Sequence, residues 1–227
     1  VAATKMRRAQ NQATGGKPYS LNLSLALDKL LPLVSADAHP LLSGNGSKTL
    51  GIALLTTDKS LCGALNTNMF RLLNALSLPA DTIFYTVGKK GRNFVAKSGK
   101  NLQADFENLD TITFRQATLL SKLLIDSYFA GEIGEVYLVY PGFISTLLQE
   151  SVKVKLLPIS LEVPQEKKSS NEFLFEPDPD KLLDFVLVHH IQIRIYQALL
   201  ETKASEHSAR MVAMQNATDN ALEIVDD

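Results

Sequence analysis

A long uninterrupted stretch near the C-terminus constrains the fold more than any other part of the chain. Residues 180–227, which follow Pro179, contain neither proline nor glycine. Apolar side chains recur there with the alternating spacing that marks one helix face, at Leu182, Val186, Ile193, Tyr196 and Leu200. At 1.5 Å per residue the stretch predicts a helix of roughly 70 Å. No ordinary globular domain needs a helix this long, so we expect it to lie along an equally long partner.

The first 35 residues have the pattern expected of that partner. From Ala2, steps of four and three residues follow one register through Met6, Ala9, Ala13, Gly16, Ser20, Leu23, Leu27, Leu30 and Val34. Pro18 and the Gly15–Gly16 pair leave two alternatives, two helices joined by a loop or a single helix that is kinked there. The unbroken register favours the single helix.

The charges at the two ends of the chain favour an antiparallel pairing. The basic residues Lys5, Arg7, Arg8 and Lys17 all precede the first acidic residue, Asp28. Residues 215–227 contain no Lys or Arg and four carboxylates, Asp219, Glu223, Asp226 and Asp227. A basic start beside an acidic finish suits an antiparallel coiled coil. An uncapped helical start and carboxylates at a helix C-terminus are both unfavourable, so we expect both helices to be truncated.

The central residues have the alternating strand and helix pattern of an α/β domain. Strands are predicted at 49–56, 82–87, 135–140 and 151–158, the last as a half-exposed edge strand. Helices are predicted at 69–76 and 114–130, with a short helix within 88–99. This alternation predicts a parallel sheet. The fold class is therefore α/β, with an antiparallel coiled coil of residues 1–38 and 177–227 and an inserted domain at 39–176 that projects from one end.

Composition narrows the function classes. The chain has 227 residues, 45% of them hydrophobic, and a net charge of −1, which gives no support for bulk binding to nucleic acid. Its apolar runs are too short to span a bilayer, and we expect a soluble chain without a secretory signal. The single cysteine, Cys62, cannot form an internal disulfide.

The residue patterns do not predict a catalytic, cofactor or metal site. GNGSKT at 44–49 lacks the spacing of a phosphate-binding loop and precedes a strand, and GKKG at 88–91 is favoured as a solvated turn over an anion site. Cys62 is favoured as a packed thiol, because His39, His189, His190 and His207 are not placed near it by the pattern. The sequence contains no C-x-x-C or H-E-x-x-H metal motif.

Several motifs resemble one family. VAATKMRRAQ at the start, SLCGALNTN at 60–68, GKKG, EPDP at 176–179 and ASEHSARMVAMQNATDNA near the end resemble the gamma subunit of the F-type rotary ATP synthase. The resemblance implies a Rossmann-like domain at the foot of a coiled-coil shaft. It also implies a rotor that turns inside the alpha and beta subunits, rides on the c ring beside the epsilon subunit, and leaves catalysis to the beta subunits.

The resemblance also implies contact residues. The alpha/beta hexamer would be contacted by Lys5, Arg7, Arg8, Arg210, Met211 and Gln215, and the c ring and epsilon by Phe173, Phe175 and Glu176. The family's helices extend further at both ends, and the redox-regulated cysteine insertion of the chloroplast type is absent. A bacterial source is favoured over a mitochondrial one. The implied location is the cytoplasmic face of the bacterial inner membrane, or the matrix side of the mitochondrial one.

Two alternatives stay open. The apolar register of the last helix turns polar at Lys203, His207 and Arg210 and recovers at Met214, Ala217, Ala221 and Ile224. The polar positions are interpreted either as a contact with the catalytic ring or as a local stutter in register. The alternative function is a small α/β nucleotide- or phosphate-binding enzyme with a coiled-coil dimerisation arm.

Overall fold

Two long helices and a five-stranded sheet make up the structure. The computed structural model describes residues 2–30, 39–160 and 179–226. Helix α1 spans Ala2–Leu30 without interruption, so the single-helix prediction is confirmed and Pro18 lies inside it. Helix α6 spans Pro179–Asp226 and confirms the long C-terminal helix. The predicted c-ring contacts Phe173, Phe175 and Glu176 lie outside the described residues.

The domain between them alternates strands and helices. Its elements in chain order are α2 (Pro40–Ser43), β1 (Leu50–Leu55), α3 (Leu65–Ala75), β2 (Ile83–Val87), α4 (Lys89–Lys97), β3 (Asn101–Phe106), α5 (Phe114–Phe129), β4 (Glu135–Phe143) and β5 (Gln149–Leu157). The strand order is β3-β2-β1-β4-β5. This is the order of the doubly wound dinucleotide-binding folds, with the sheet order reversing between β1 and β4.

The central strand β1 explains why helices cover both faces of the sheet. Its residues from Gly51 to Leu55 are all buried. Ile52 and Leu54 pack with the helices α3 and α4, whereas Ala53 and Leu55 pack with α5, α6 and the small residues of α1. A strand that is apolar on both faces needs a layer on each side, which is the architecture of an α/β domain.

The predicted all-parallel sheet is wrong at one edge. Strands β1, β2, β3 and β4 are parallel, but β5 pairs antiparallel with β4. Only a short turn separates Phe143 from Gln149, which permits a hairpin but no crossover connection. Strand β3 was not predicted, because NLQADF contains Asn, Gln and Asp, which disfavour strands. Pairing with β2 forms this edge strand despite its composition.

The register of α1 agrees with its burial. Ala9, Ala13 and Leu27 are buried, and the other predicted positions whose side chains are described are at least half-buried. Contacts with α6 fall in descending order along that helix: Gln10 bonds Ser208, Lys17 approaches Glu201, and Tyr19 bonds His189. The two helices are therefore antiparallel, as predicted.

The position of the domain differs from the prediction. Residues 198–206 of α6 are buried without exception, which one helix face cannot produce. The helix is enclosed there because α1 lies on one side while α5, β4 and β5 lie on the others. The domain therefore packs along the flank of α6 and does not project from its end. Residues 214–225 emerge from this packing and are exposed.

Helix length and hydropathy bear on membrane insertion. Among the residues that the structure describes, no helix combines the length and the apolar character needed to cross a bilayer. The longest helix, α6, carries charged and polar side chains along its length.

Candidate functional site

A buried ionic cluster joins α6 to the domain. Glu206, with 3% of its side chain exposed, lies 3.0 Å from the Lys203 ammonium and 2.8 Å from the Arg210 guanidinium. Asn108, between β3 and α5, donates a third hydrogen bond to Glu206 at 3.3 Å. Because an unpaired buried charge is costly, these donors are what permits a carboxylate at this position.

The groups around Glu206 determine its ionisation state. Burial alone raises the pKa of Glu206, but the Lys203 charge and the hydrogen bonds from Lys203 and Arg210 outweigh it and hold the pKa below its ordinary value. Glu206 is therefore a carboxylate at neutral pH. The carboxylate pairs with two cations of its own helix and accepts a hydrogen bond from Asn108 of the domain.

The cluster reaches the ends of the central strands. Asn108 also donates to the Thr56 carbonyl at 2.9 Å, and the Arg210 guanidinium donates to the Ser60 carbonyl at 3.3 Å. At β4, Ser205 donates to the Pro141 carbonyl at 3.0 Å. Helix α6 thus covers the carboxyl ends of β1 and β4. In doubly wound folds this crevice, where the strand order reverses, is where ligands bind.

A second contact joins α6 to the domain near the N-terminus of the helix. His39, the N-cap of α2, lies 2.7 Å from the carboxylate of Asp184 through Nε2, while its Nδ1 accepts the Leu41 N–H at 3.1 Å. Asp184 and Glu206 are 22 residues apart on α6, or about 33 Å along a helix. The helix is therefore held by the domain at two well-separated levels.

The predicted hexamer contacts fall into three groups. Arg7 and Arg8 are exposed on α1, and Lys5 is exposed but approaches Asp110 at 3.8 Å. Arg210 is engaged within the chain by Glu206 and Ser60. Met211 is half-buried, and Gln215 is exposed and bonds Asp219. Lys5 and Arg8 share one cavity with Lys203 and His207, so the structure brings the two helices' basic residues together.

The polar break in the register of α6 has an intramolecular explanation. Lys203 is buried and paired with Glu206, and Arg210 donates to the Ser60 carbonyl of the domain. The predicted recovery positions Met214, Ala217, Ala221 and Ile224 are exposed. The break occurs where α6 packs on both α1 and the polar domain surface, because Ser208 bonds Gln10 of α1 two residues before Arg210 bonds Ser60.

The other sequence candidates are explained by internal contacts. The first amides of α4, in the GKKG segment, are already bonded, with Lys89 donating to Asp58 and Gly91 to Thr56. In GNGSKT, the Asn45 amide donates to the carbonyls of Tyr128 and Ile133. Cys62 is buried, and Asn66 Nδ2 lies 3.4 Å from its sulfur. In the described part of the chain, no group of His, Cys, Asp or Glu side chains is arranged to hold a metal ion.

Two residues of this site were missed. Glu206 lies three residues after Lys203 and four before Arg210, so helical spacing could have grouped all three. Asn108 gave no such signal, because it is 98 residues from Glu206 in the chain.

The loop before α3 is a third feature that the pattern did not reveal. Leu61 has a positive φ of 64° and 69% of its surface is exposed. A β-region or helical conformation would be less strained for leucine. The neighbouring Ser60 carbonyl accepts from Arg210, which helps hold the loop in place.

Two antiparallel helices held at two levels by an α/β domain define a class of protein, a helical shaft with a Rossmann-like domain on its flank. A family model described as ATP synthase matches residues 1–227. The ATP synthase gamma chain of Moorella thermoacetica is 38% identical over all of this chain and 80% of its own length. That of Paracidovorax citrulli is 39% identical over 99% of this chain and 81% of its own length. The chain belongs to the ATP synthase gamma chain family.

Solved structures share the fold. A chain from the central stalk and c-ring structure of Tetrahymena thermophila mitochondrial ATP synthase superposes with a TM-score of 0.74 at 22% identity, covering 96% of each chain. A chain from the rotor of Euglena gracilis mitochondrial ATP synthase superposes with a TM-score of 0.60 at 18% identity, covering 98% of this chain and 94% of its own. The curated relatives named above are bacterial, in line with the predicted source.

Proposed function

We propose that the chain is the central-stalk rotor subunit of a proton-translocating F-type ATP synthase. It transmits torque between the membrane c ring and the alpha/beta hexamer, and the epsilon subunit lies beside it. The observation that carries this proposal is the family match over the whole chain, with relatives named ATP synthase gamma chain at 38–39% identity. The antiparallel shaft is the structural counterpart of that role.

The proposed mechanism uses the two attachments of α6. The c ring turns the α/β domain, and α6 follows because it is held at two levels, by the His39–Asp184 pair and by the bonds of the Glu206 cluster to Asn108 and Ser60. A helix held at one level only could twist against the domain. The asymmetric shaft then presents different faces to each beta subunit, and each face favours a different nucleotide state.

We also propose that the chain is not itself catalytic and that nucleotide chemistry belongs to the beta subunits. Support comes from α6, whose Ser205 and Arg210 occupy the crevice at the carboxyl ends of the strands. The amides of α4 that could hold a phosphate are bonded to Asp58 and Thr56. ATP hydrolysis by the purified chain alone would contradict this proposal and favour the alternative of a small nucleotide-binding enzyme.

The contact residues are part of the proposal. Arg7 and Arg8 are exposed cations on α1, which suits contact with an acidic surface of the hexamer. The full proposed hexamer set is Lys5, Arg7, Arg8, Arg210, Met211 and Gln215, and the proposed c-ring and epsilon set is Phe173, Phe175 and Glu176. The rotor would lie peripherally at the cytoplasmic face of the bacterial inner membrane, joined to it through the c ring.

Charge reversal tests the hexamer contacts. The double variant Arg7→Glu, Arg8→Glu is compared with the wild-type complex for ATP hydrolysis and ATP-driven proton pumping in inverted membrane vesicles. We expect the protons pumped per ATP to fall several-fold, because like charges would then face each other across the interface. Arg71→Glu, an exposed reversal on α3, is the matched control and should leave the ratio unchanged. An unchanged ratio in the double variant would remove Arg7 and Arg8 from the interface.

A further inference from the structure

A small cavity lies where α1, α6 and the segment between β3 and α5 meet. Its volume is about 120 Å³. The charged and titratable side chains in its lining are Lys5, Arg8, Asp110, Lys203 and His207. We refer to it as the junction cavity. Of the residues that line it, only Lys203 also belongs to the Glu206 cluster.

The junction cavity is electropositive. Lys5 and Arg8 from α1 and Lys203 from α6 line it with one carboxylate, Asp110, and still outnumber the acids when Glu206, which pairs with Lys203 at 3.0 Å, is counted with Asp110. Lys59 also approaches Asp110, at 3.3 Å. Because cations from two helices converge on one partly open cavity, the field inside it favours a negative charge.

The pKa of Asp110 reports the same field, whereas the pKa of His207 is set first by burial. The hydrogen bond and charge of Lys59, together with the charges of Lys5 and Lys203, hold the pKa of Asp110 below its ordinary value. Burial and the charges of Lys203, Arg210 and Lys5 lower the pKa of His207, against an opposing effect of Glu206. Asp110 is therefore ionised at neutral pH, and His207 is a neutral ring whose N–H can donate.

We propose that the junction cavity binds one inorganic phosphate ion, which bridges α1, α6 and the segment 107–113. Arg8 supplies a forked pair of donors, Lys5 and Lys203 supply point charges, and His207 supplies a neutral donor. The volume suits one small oxyanion or a few water molecules, whereas pockets for drug-sized ligands are typically about 300–1,000 Å³. This site goes beyond the proposed rotor function, although the side chains of Lys5 and Arg8 belong to both proposals.

Asp110 makes phosphate the favoured oxyanion. An ionised carboxylate only accepts hydrogen bonds, so it repels a fully deprotonated anion such as sulfate. Phosphate near neutral pH keeps at least one O–H, which can donate to the Asp110 carboxylate while the other oxygens accept from the cations. A cavity that combines several donors with one acceptor therefore selects phosphate over sulfate.

Local hydrogen exchange in the assembled complex tests this proposal. Exchange of peptides spanning residues 107–113 and 200–207 is followed by mass spectrometry in phosphate, sulfate or chloride at matched ionic strength. At a phosphate concentration ten times the dissociation constant, linkage predicts roughly tenfold slower exchange through local opening. Sulfate should slow it less, and chloride should not slow it. Peptides from the buried strand β1 report whether each variant remains folded.

Neighbouring arginines provide the matched variants. Arg8→Gln should abolish the effect of phosphate, whereas Arg7→Gln, which removes the same charge beside the cavity without lining it, should retain it. Asp110→Asn should reduce the preference for phosphate over sulfate. The proposal is overturned if phosphate does not slow exchange, or if sulfate slows it as much as phosphate does. It is also overturned if phosphate still slows exchange in Arg8→Gln, which is the result expected of phosphate bound at the catalytic sites instead.

Discussion

Two segments of the same helix have opposite environments. Residues 198–206 of α6 are buried on all sides although they include Glu201, Lys203 and Glu206. Residues 214–225 are exposed although they include Leu222, Ile224 and Val225, whose exposed fractions are 60%, 76% and 80%. Apolar character alone therefore does not decide burial here. The charged segment is buried because the chain supplies partners for its charges, and the apolar end is exposed because nothing in the described part of the chain covers it.

The largest expected effect comes from the buried segment. Glu206→Ala leaves the Lys203 ammonium buried without its counter-charge, which typically costs about 3–5 kcal/mol. We expect the free energy of unfolding, measured by urea denaturation, to fall by that amount. Glu223→Ala, an exposed carboxylate on the same helix, is the matched control and should stay within about 0.5 kcal/mol of wild type.

A second variant separates the charge effect from loss of packing. Lys203→Met combined with Glu206→Gln removes both charges while keeping similar volumes, so it should lose less stability than Glu206→Ala alone. A double variant that loses as much as the single variant would mean that packing, and not pairing, governs the buried segment.

A pH dependence should arise from a second buried group on α6, His190. Burial, with a smaller effect of the Arg194 charge, lowers the pKa of His190 from 6.5 to about 4. A lowered folded-state pKa means that the unfolded chain binds the proton first, so stability is present above pH 6.5 and is lost as pH falls toward 4. We expect a loss of about 2 kcal/mol between pH 7 and 5.

The variant His190→Gln should flatten this part of the pH profile, while His189→Gln, a change at the adjacent and more exposed position, should retain it. Titration of Glu206 does not contribute between pH 7 and 5, because its ordinary pKa is 4.5 and its pKa in the folded chain is lower still. An unchanged slope in His190→Gln would show that another group produces the dependence.

The contrast between the segments also shows what the sequence could predict. Local periodicity predicted both long helices, most of the strands and the register of α1, because each depends on neighbours a few residues away. The enclosure of residues 198–206 could not be predicted in this way. It depends on packing against α1, α5, β4 and β5, and on contacts between residues far apart in the chain. Asn108 and Glu206 are 98 residues apart, and Pro141 and Ser205 are 64 residues apart.

The candidate site was predicted unevenly for the same reason. Basic residues on α1 stood out because no acid interrupts them, and Arg7 and Arg8 are indeed exposed. Arg210 was predicted as a partner contact from its motif, yet its guanidinium bonds Glu206 and the Ser60 carbonyl. A motif marks a residue that matters, but it does not distinguish an external contact from an internal one.

A smaller effect tests the other helix of the shaft. An alanine Cβ at Gly15 meets no atom within 4 Å, so Gly15→Ala should stabilise the chain by about 0.5–1 kcal/mol through helix propensity. At Gly16 the Cβ would lie 2.5 Å from Gln197 Oε1. Gly16→Ala should displace that side chain and weaken its bond to the Ala13 carbonyl, so the net gain should be near zero. Thermal denaturation of the two variants provides the comparison, and equal gains would mean that α1 does not approach α6 closely at Gly16.

The smallest expected effect lies at the exposed end of α6. Ile224→Ser removes an apolar side chain that is 76% exposed, so the free energy of unfolding of the chain should change by less than about 0.5 kcal/mol. Leu199→Ala, in the buried segment, should cost about 2–5 kcal/mol. The difference between these two values measures how far the domain protects α6. If Ile224→Ser destabilised the chain as much as Leu199→Ala, the apolar end would be packed in solution, and the comparison between the two segments would fail. A near-zero effect in the chain together with weaker copurification of alpha and beta subunits would instead assign the covering of this end to the hexamer.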